Sequence, residues 1–232
     1  MLNVKIENGT TLRFLDAASG TGLAVVFQRT LRIPDDGKKY PLPPGLGAFP
    51  VRRVLDYKGR VPAEWVKTSG VFLPMYQREA MWLSFQARHW RPNALKVAAG
   101  KINAVSGKAW SQKLEASKPG GLRGVIGASE PEHDYLTAPP QPWLDGFNTG
   151  RGTVRQFVAM PLGMGYTVEG QVTGKEEHGG IQLIVFEPKP GRFPDKPPPP
   201  PPMRAGAIGG MLGAMPPMAA PPMPMAMAPA PA

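Results

Sequence analysis

The sequence predicts an all-β or mainly β fold with one or two short helices: an antiparallel sandwich or barrel followed by a disordered tail. Three observations predict it. Apolar and polar residues alternate in short segments, turn signals interrupt them about every ten residues, and no long segment repeats with the 3.6-residue period of a helix. The composition then changes near residue 190. We therefore divide the chain into a β-rich globular body, 1–190, and a Pro/Met/Ala/Gly-rich tail, 191–232.

The first half of the body reads as strands separated by turns. "LNVKIE", the turn "NGTT" and "LRFL" form a predicted hairpin. The run "LAVVFQRTLRI" at 23–33 is a longer strand, and it leads into a "PDDG" turn at 34–37. Two more strands are expected within 70–87. A further extended stretch is expected over 94–107, with a bulge or turn at Gly100.

The end of the body carries the clearest alternation. In "GYTVEGQVT" at 165–173, Tyr166, Val168 and Val172 share one face, which predicts a half-buried antiparallel strand. "IQLIVFE" at 181–187 is apolar on both faces apart from one glutamine, which predicts a central strand. Single helical turns fit only short stretches, "PAEWVK" at 62–67 and "SQKLEA" at 111–116.

The tail has the composition of a docking or spacer segment. It contains six consecutive prolines: Pro197, Pro198, Pro199, Pro200, Pro201 and Pro202. Proline fixes φ and lacks an N–H donor, so this run adopts polyproline II. Residues 203–232, after this run, are low in complexity and include no aromatic residue, which predicts disorder. We expect the proline run to recruit a protein partner, with self-association as the other reading.

The totals limit the classes of function. The chain of 232 residues has no cysteine. This excludes disulfide frameworks, cysteine-ligated metals and thiol nucleophiles. The sequence has no run of about 18 or more apolar residues, so no transmembrane helix is predicted. No signal peptide is recognised either, and we expect a cytoplasmic location. The net charge is +10, with Lys and Arg scattered along the chain. Peripheral binding to an anionic membrane or to nucleic acid therefore stays open.

No motif identifies a reaction. The serine nucleophile elbow, the phosphate-binding loop and the dinucleotide fingerprint are missing, and the histidines have no metal-ligand spacing. We expect no metal and no cofactor, and we favour a protein that is not an enzyme. A carbohydrate-active or other hydrolase with paired carboxylates remains the alternative. Its weak candidate catalytic residues are Asp145, Glu169, Glu79 and, as a base between acidic neighbours, His133.

The stretch "QPWLDGF" at 141–147 has two readings. Prolines stiffen the approach to it, and Asp-Gly is a turn pair. We favour a structural corner in which the Trp143 ring is buried. The other reading is a ligand-facing site, for which Trp143 and Arg155 are the candidate binding residues.

The block "QPWLDGFNTGRGTVRQFVAMPLGMGYTVEGQVTGKEEHGGIQLIVFEP" at 141–188 resembles a family of uncharacterised microbial and fungal proteins that often carry the label "integral membrane protein". The segments "MYQREAMWLSF", "LKVAAGKINAVSG" and "HDYLTAPPQPWLDG" extend the resemblance to residues 25–190. It implies no activity, fold or site residue. The membrane label departs from this sequence, in which no spanning segment is predicted.

The leading hypothesis is a non-enzymatic β-rich interaction or structural assembly module whose polyproline tail tethers or recruits a partner.

Overall fold

The computed structural model describes part of the chain: residues 2–16, 20, 22–34, 36, 38, 40–115, 133–148 and 154–199. Over these residues the fold is mainly β with antiparallel sheets, as the sequence predicts. The two α-helices found there are short, at six residues each. The predicted "PDDG" turn lies partly outside the described residues. The tail from Pro200 onward lies entirely outside them.

Along the described chain the elements follow one another as β1 (Leu2–Glu7), β2 (Thr11–Asp16), β3 (Gly22–Thr30), β4 (Gly45–Ala48), β5 (Arg52–Arg53), a 3-10 turn (Val54–Tyr57), α1 (Ala63–Thr68), β6 (Val71–Phe72), β7 (Ala80–Gln86), β8 (Asn93–Ala99), β9 (Ile102–Asn103), β10 (Leu136–Ala138), β11 (Trp143–Leu144), β12 (Gly146–Asn148), β13 (Val154–Val158), α2 (Val168–Thr173) and β14 (Ile181–Phe186). The helical turn predicted at 62–67 is thus confirmed as α1.

The described strands form two larger sheets and one small pair. The first sheet has the order β1-β2-β3-β7-β13-β12, with β4 beside β3 and β11 beside β7. The second has the order β10-β8-β14, with β9 beside β8, and β5 pairs with β6. Both larger sheets contribute to one hydrophobic core, because buried side chains of β2, β3 and β7 cluster with Leu95 and Val97 of β8.

The strands that the sequence predicts best are those whose turns demand particular backbone angles. Asn8 and Gly9 have φ of 52° and 68° and connect β1 to β2. Gly100 and Lys101 have φ of 54° and 60° and connect β8 to β9. Positive φ at two adjacent residues matches the right-handed twist of a hairpin, and asparagine and glycine tolerate it. The "NGTT" hairpin and the turn at Gly100 are therefore confirmed.

Burial follows the sequence pattern in the central strands. In β7, Met81, Leu83 and Phe85 are buried, whereas Trp82 and Ser84 between them are half-buried. This is the period-2 alternation of a strand with one face on the core. β3 is buried at five consecutive residues from Leu23, because neighbours cover both of its faces.

The strand predicted over 165–173 is wrong. Val168–Thr173 is the helix α2, which begins after Thr167 and ends at Gly174. The Thr167 hydroxyl accepts a hydrogen bond from the Gly170 N–H at 3.0 Å, and Gly174 has the left-handed φ of 73° that ends helices. Val168 and Val172 are four residues apart, a spacing that suits a helix as well as a strand.

Three further expectations differ from the structure. β14 lies where predicted, but among the described strands it pairs only with β8, so it lies at the edge of its sheet and is not central. Residues 111–115 contain no helix. The 141–147 corner exists, since β11 pairs with β7 and β12 pairs with β13. The expected buried ring is not found, because Trp143 is 42% exposed.

Candidate functional site

A cleft of about 590 Å³ lies beside the first sheet. One group of its lining residues comes from the chain after β3, the turn before β7, and β13. The other group comes from the β8–β9 turn, α2 and the chain before β14. The charged and polar side chains that matter for its chemistry are Arg32, Arg78, Arg155, Tyr166, Glu169 and Gln171. Its volume lies in the range of small-molecule sites, which is about 300–1,000 Å³.

The arginine side of the cleft is fixed by hydrogen bonds of the main chain and of one amide. The Gln156 Oε1 accepts the Ile33 N–H at 2.9 Å, and its Nε2 donates to the Leu31 carbonyl at 2.9 Å. This joins the chain after β3 to β13. The Arg78 N–H donates to the Ala159 carbonyl at 2.7 Å, which joins the turn before β7 to the end of β13.

The cleft carries an excess of positive charge. Three arginines line it, and among the described lining residues Glu169 is the one carboxylate. Within the described part of the chain, the guanidinium groups of Arg78 and Arg155 form no hydrogen bond and no ion pair. Both residues are exposed. The cleft therefore presents two cations whose hydrogen-bond donors are available to a ligand.

The Glu169 carboxylate is already bound by the protein's own backbone. Its side chain is buried, with 3% exposure. It accepts N–H groups from Glu177 at 3.0 Å, from His178 at 3.0 and 3.1 Å, and from Gly179 at 2.8 Å. Burial alone raises the pKa of this carboxyl, but these bonds, with Gly179 first, outweigh it and hold the pKa of Glu169 below its ordinary 4.5. Glu169 is thus an anion that holds the loop before β14 against α2.

A second carboxylate closes the same segment from the other end. Glu176 accepts the Thr167 hydroxyl at 2.5 Å, the Thr167 N–H at 2.9 Å and the Gly165 N–H at 2.9 Å. The hydroxyl of Thr167, followed by the N–H groups of Gly165 and Thr167, lowers the pKa of Glu176 to about 2. In this segment, the hydrogen bonds accepted by Glu169 and Glu176 therefore take the place of the hydrogen bonds between paired strands.

The absence of a side chain at Gly100 allows this segment to pack closely against the second sheet. A Cβ on Gly100 would lie 2.6 Å from the Glu169 Cβ and 2.8 Å from its Oε2. The Gly100 N–H also donates to the Gly180 carbonyl at 2.9 Å. The β8–β9 turn thus fits Glu169 only because it has no side chain at this position.

The other candidate catalytic residues lie apart from this arrangement. The Glu79 Oε1 forms an ion pair with the Arg29 Nε at 2.5 Å, and its Oε2 accepts the Tyr76 N–H at 2.9 Å. Asp145 lines a separate depression of about 210 Å³. The His133 ring lies edge-on to Tyr135, with ring centroids 5.7 Å apart. Of the predicted site residues, only Glu169 and Arg155 line the cleft, and Trp143 does not.

The start of the proline run is exposed. Pro197, Pro198 and Pro199 are exposed and lie in no helix or strand, while Pro200, Pro201 and Pro202 lie outside the described residues. Just before them, Asp195 forms an ion pair with the Arg91 guanidinium, which also contacts Asp16 at 3.4 Å. The chain is therefore attached to the body up to Asp195, beyond the boundary near residue 190 that composition suggests.

A buried charge pair was missed by sequence reasoning. Lys96 of β8 is fully buried, and its ammonium forms an ion pair with Asp134 and donates to the Lys113 carbonyl at 2.6 Å. The other Asp134 oxygen accepts the Glu115 N–H at 3.0 Å. Asp134 thus connects the chain on both sides of 116–132 to the second sheet. A lysine within the apolar run "ALKVAA" is the signal in the sequence that points to it.

Over the described residues, no group of three or more His, Asp or Glu side chains is placed to hold a metal ion. The helices found in that same part of the chain are all too short to cross a membrane. Family models, curated proteins and solved structures were each compared with this chain, and none of them matches it.

Proposed function

We propose that this protein is a non-enzymatic interaction module. In this proposal the β-rich body is a scaffold, and the proline run from Pro197 to Pro202 recruits a protein partner that has an aromatic groove. The observation that carries the proposal is the exposure of Pro197, Pro198 and Pro199 directly after the Arg91–Asp195 ion pair. A polyproline II segment loses little conformational entropy on binding, because its φ angles are already fixed. A cytoplasmic location stays a prediction.

The contacts of the candidate carboxylates support a role without catalysis. Glu79 neutralises Arg29, and Glu169 is enclosed by backbone N–H groups. A general acid needs a raised pKa, whereas the pKa of Glu169 is lowered. The hydrolase alternative therefore has no specific observation in its favour.

The test compares three full-length chains for binding to a panel of purified SH3, WW and EVH1 domains, followed by capture from native lysate. The first chain is the unaltered protein. The second has alanine at all six positions of 197–202. The third, a matched control, has alanine at the later pairs Pro216-Pro217 and Pro221-Pro222. All three retain Asp195, so that the ion pair with Arg91 is undisturbed.

We expect the substitutions at 197–202 to abolish binding and the control to retain it. Binding that is equal in all three chains would place the interaction elsewhere and overturn the proposal. Thermal unfolding of each chain shows whether the body has been altered.

A further inference from the structure

The arginine-lined cleft is chemically independent of the proline run. Its lining combines arginines, the exposed ring of Tyr166 and apolar side chains such as Met75 and Met160. Guanidinium groups present planar forks of N–H donors that match the oxygens of carboxylates and phosphates. Aromatic and apolar surface matches the remainder of an organic ligand.

The charges of Arg78 and Arg155 in this cleft are not neutralised by the described part of the chain. Glu169, the one carboxylate among its described lining residues, accepts only backbone N–H groups. Arg78 and Arg155 form no ion pair with the described chain. Their backbones are nevertheless held in place, through the Arg78 N–H bond to Ala159 and through the pairing of Arg155 with Phe147 in β12. An anion that enters the cleft would thus meet two guanidinium groups whose backbones are held in place by hydrogen bonds.

We propose that this cleft binds a small organic oxyanion, a phosphate or a carboxylate on an apolar or aromatic body. Arg78 and Arg155 contact the oxyanion, and Tyr166 covers the body of the ligand. Tyr166 is 55% exposed, so it has surface left for such a contact.

The test is calorimetric titration of the full-length protein at about 150 mM ionic strength, where long-range attraction to the basic surface is screened. The probes are phenyl phosphate, benzoate and inorganic phosphate. Phenyl phosphate and benzoate distinguish the two oxyanions, and inorganic phosphate tests the oxyanion without an aromatic body. The variants are Arg155→Gln, Arg78→Gln and Tyr166→Ala. The control Arg60→Gln removes the same charge from an exposed arginine outside the cleft.

We expect one saturable site for phenyl phosphate or benzoate. Arg155→Gln and Arg78→Gln each weaken binding by about tenfold or more, since each removes a charge-assisted contact. Arg60→Gln leaves binding unchanged. Tyr166→Ala weakens binding of the aromatic probe and not that of inorganic phosphate.

Three results would overturn the inference: no saturable binding of either aromatic probe, equal weakening by Arg155→Gln and Arg60→Gln, or undiminished binding of the aromatic probe by Tyr166→Ala. Arg78 has a positive φ of 68°, so its replacement can disturb the turn. Arg155 is an exposed strand residue, and its variant therefore decides the outcome if Arg78→Gln unfolds. Thermal unfolding of each variant in the absence of probe provides that check.

Discussion

Replacing Gly100 with alanine tests the packing of α2 against the second sheet. The new Cβ would lie 2.6 Å from the Glu169 Cβ, whereas ordinary contact begins at 3.4 Å, so Glu169 has to move by about 0.8 Å. Its Oε2, 2.8 Å from the new atom, accepts the N–H groups of His178 and Gly179. Movement of the side chain therefore lengthens hydrogen bonds to a buried charge.

The expected cost has two parts. A left-handed φ costs a residue with a Cβ about 1–2 kcal/mol. Loss of one hydrogen bond to a charged group costs about 1.5–3 kcal/mol. We therefore expect Gly100→Ala to lower the free energy of unfolding by about 2.5–5 kcal/mol. Gly174→Ala is the matched control, because Gly174 also has positive φ, at 73°, but no atom lies within 4 Å of its added Cβ. Only the first part applies to the control.

Urea unfolding followed by tryptophan fluorescence measures both variants. The decisive comparison repeats Gly100→Ala in a Glu169→Gly background, where the contacting Cβ and the carboxylate are both absent. We expect the cost of the glycine substitution to fall there to the value of the control. Equal costs for Gly100→Ala and Gly174→Ala in the unaltered background would refute the close packing described here.

Three further predictions concern the two glutamates of the α2 segment, the buried Lys96–Asp134 pair and Trp143. In the folded protein the pKa of Glu176 is lowered to about 2, and that of Glu169 is also lowered. The two carboxylates therefore stabilise the fold fully above the unfolded pKa of 4.5, and this contribution is lost as the pH falls through their folded pKa values. A midpoint of thermal unfolding that stays constant down to about pH 2 would contradict this. Lys96→Met leaves Asp134 buried without its cation and should cost about 3–5 kcal/mol in urea unfolding, with part recovered by replacing both residues with apolar ones. Trp143→Ala should cost less than Leu83→Ala in the same assay, because a large residue removed from the core costs about 2–5 kcal/mol whereas Trp143 is 42% exposed.

The parts of the fold that could be predicted are those where local chemistry and tertiary packing agree. Asn8-Gly9 dictates a hairpin through its backbone angles, and the apolar run from Leu23 dictates a covered strand. The prediction of a strand around α2 was wrong because the alternation there also suits a helix. The alternation places Glu169 on a solvent face, yet Glu169 is buried, and Val172, on the predicted inner face, is 58% exposed. Thr167 and Gly174 are helix boundary residues and could have revealed this.

The candidate site was less predictable because it is assembled from distant segments. Arg78 and Arg155 are far apart in the sequence, and β7–β13 pairing together with the turn before β7 places them on one cleft. No spacing rule anticipates such a cluster. Trp143 failed for the opposite reason, since a tryptophan between prolines suggests an anchor, but β11 is only two residues long and leaves the ring half uncovered.

The hydrogen bonds of Asp134 give the chain a place at which it can be lengthened. Its carboxylate binds Lys96 and the Glu115 N–H, so residues on both sides of 116–132 share one anchor. For flexible chain between fixed anchor points, doubling the length adds only about 0.6 kcal/mol of closure entropy. We therefore expect a fluorescent reporter or an affinity tag grafted within 116–132 to leave the Lys96–Asp134 ion pair in place.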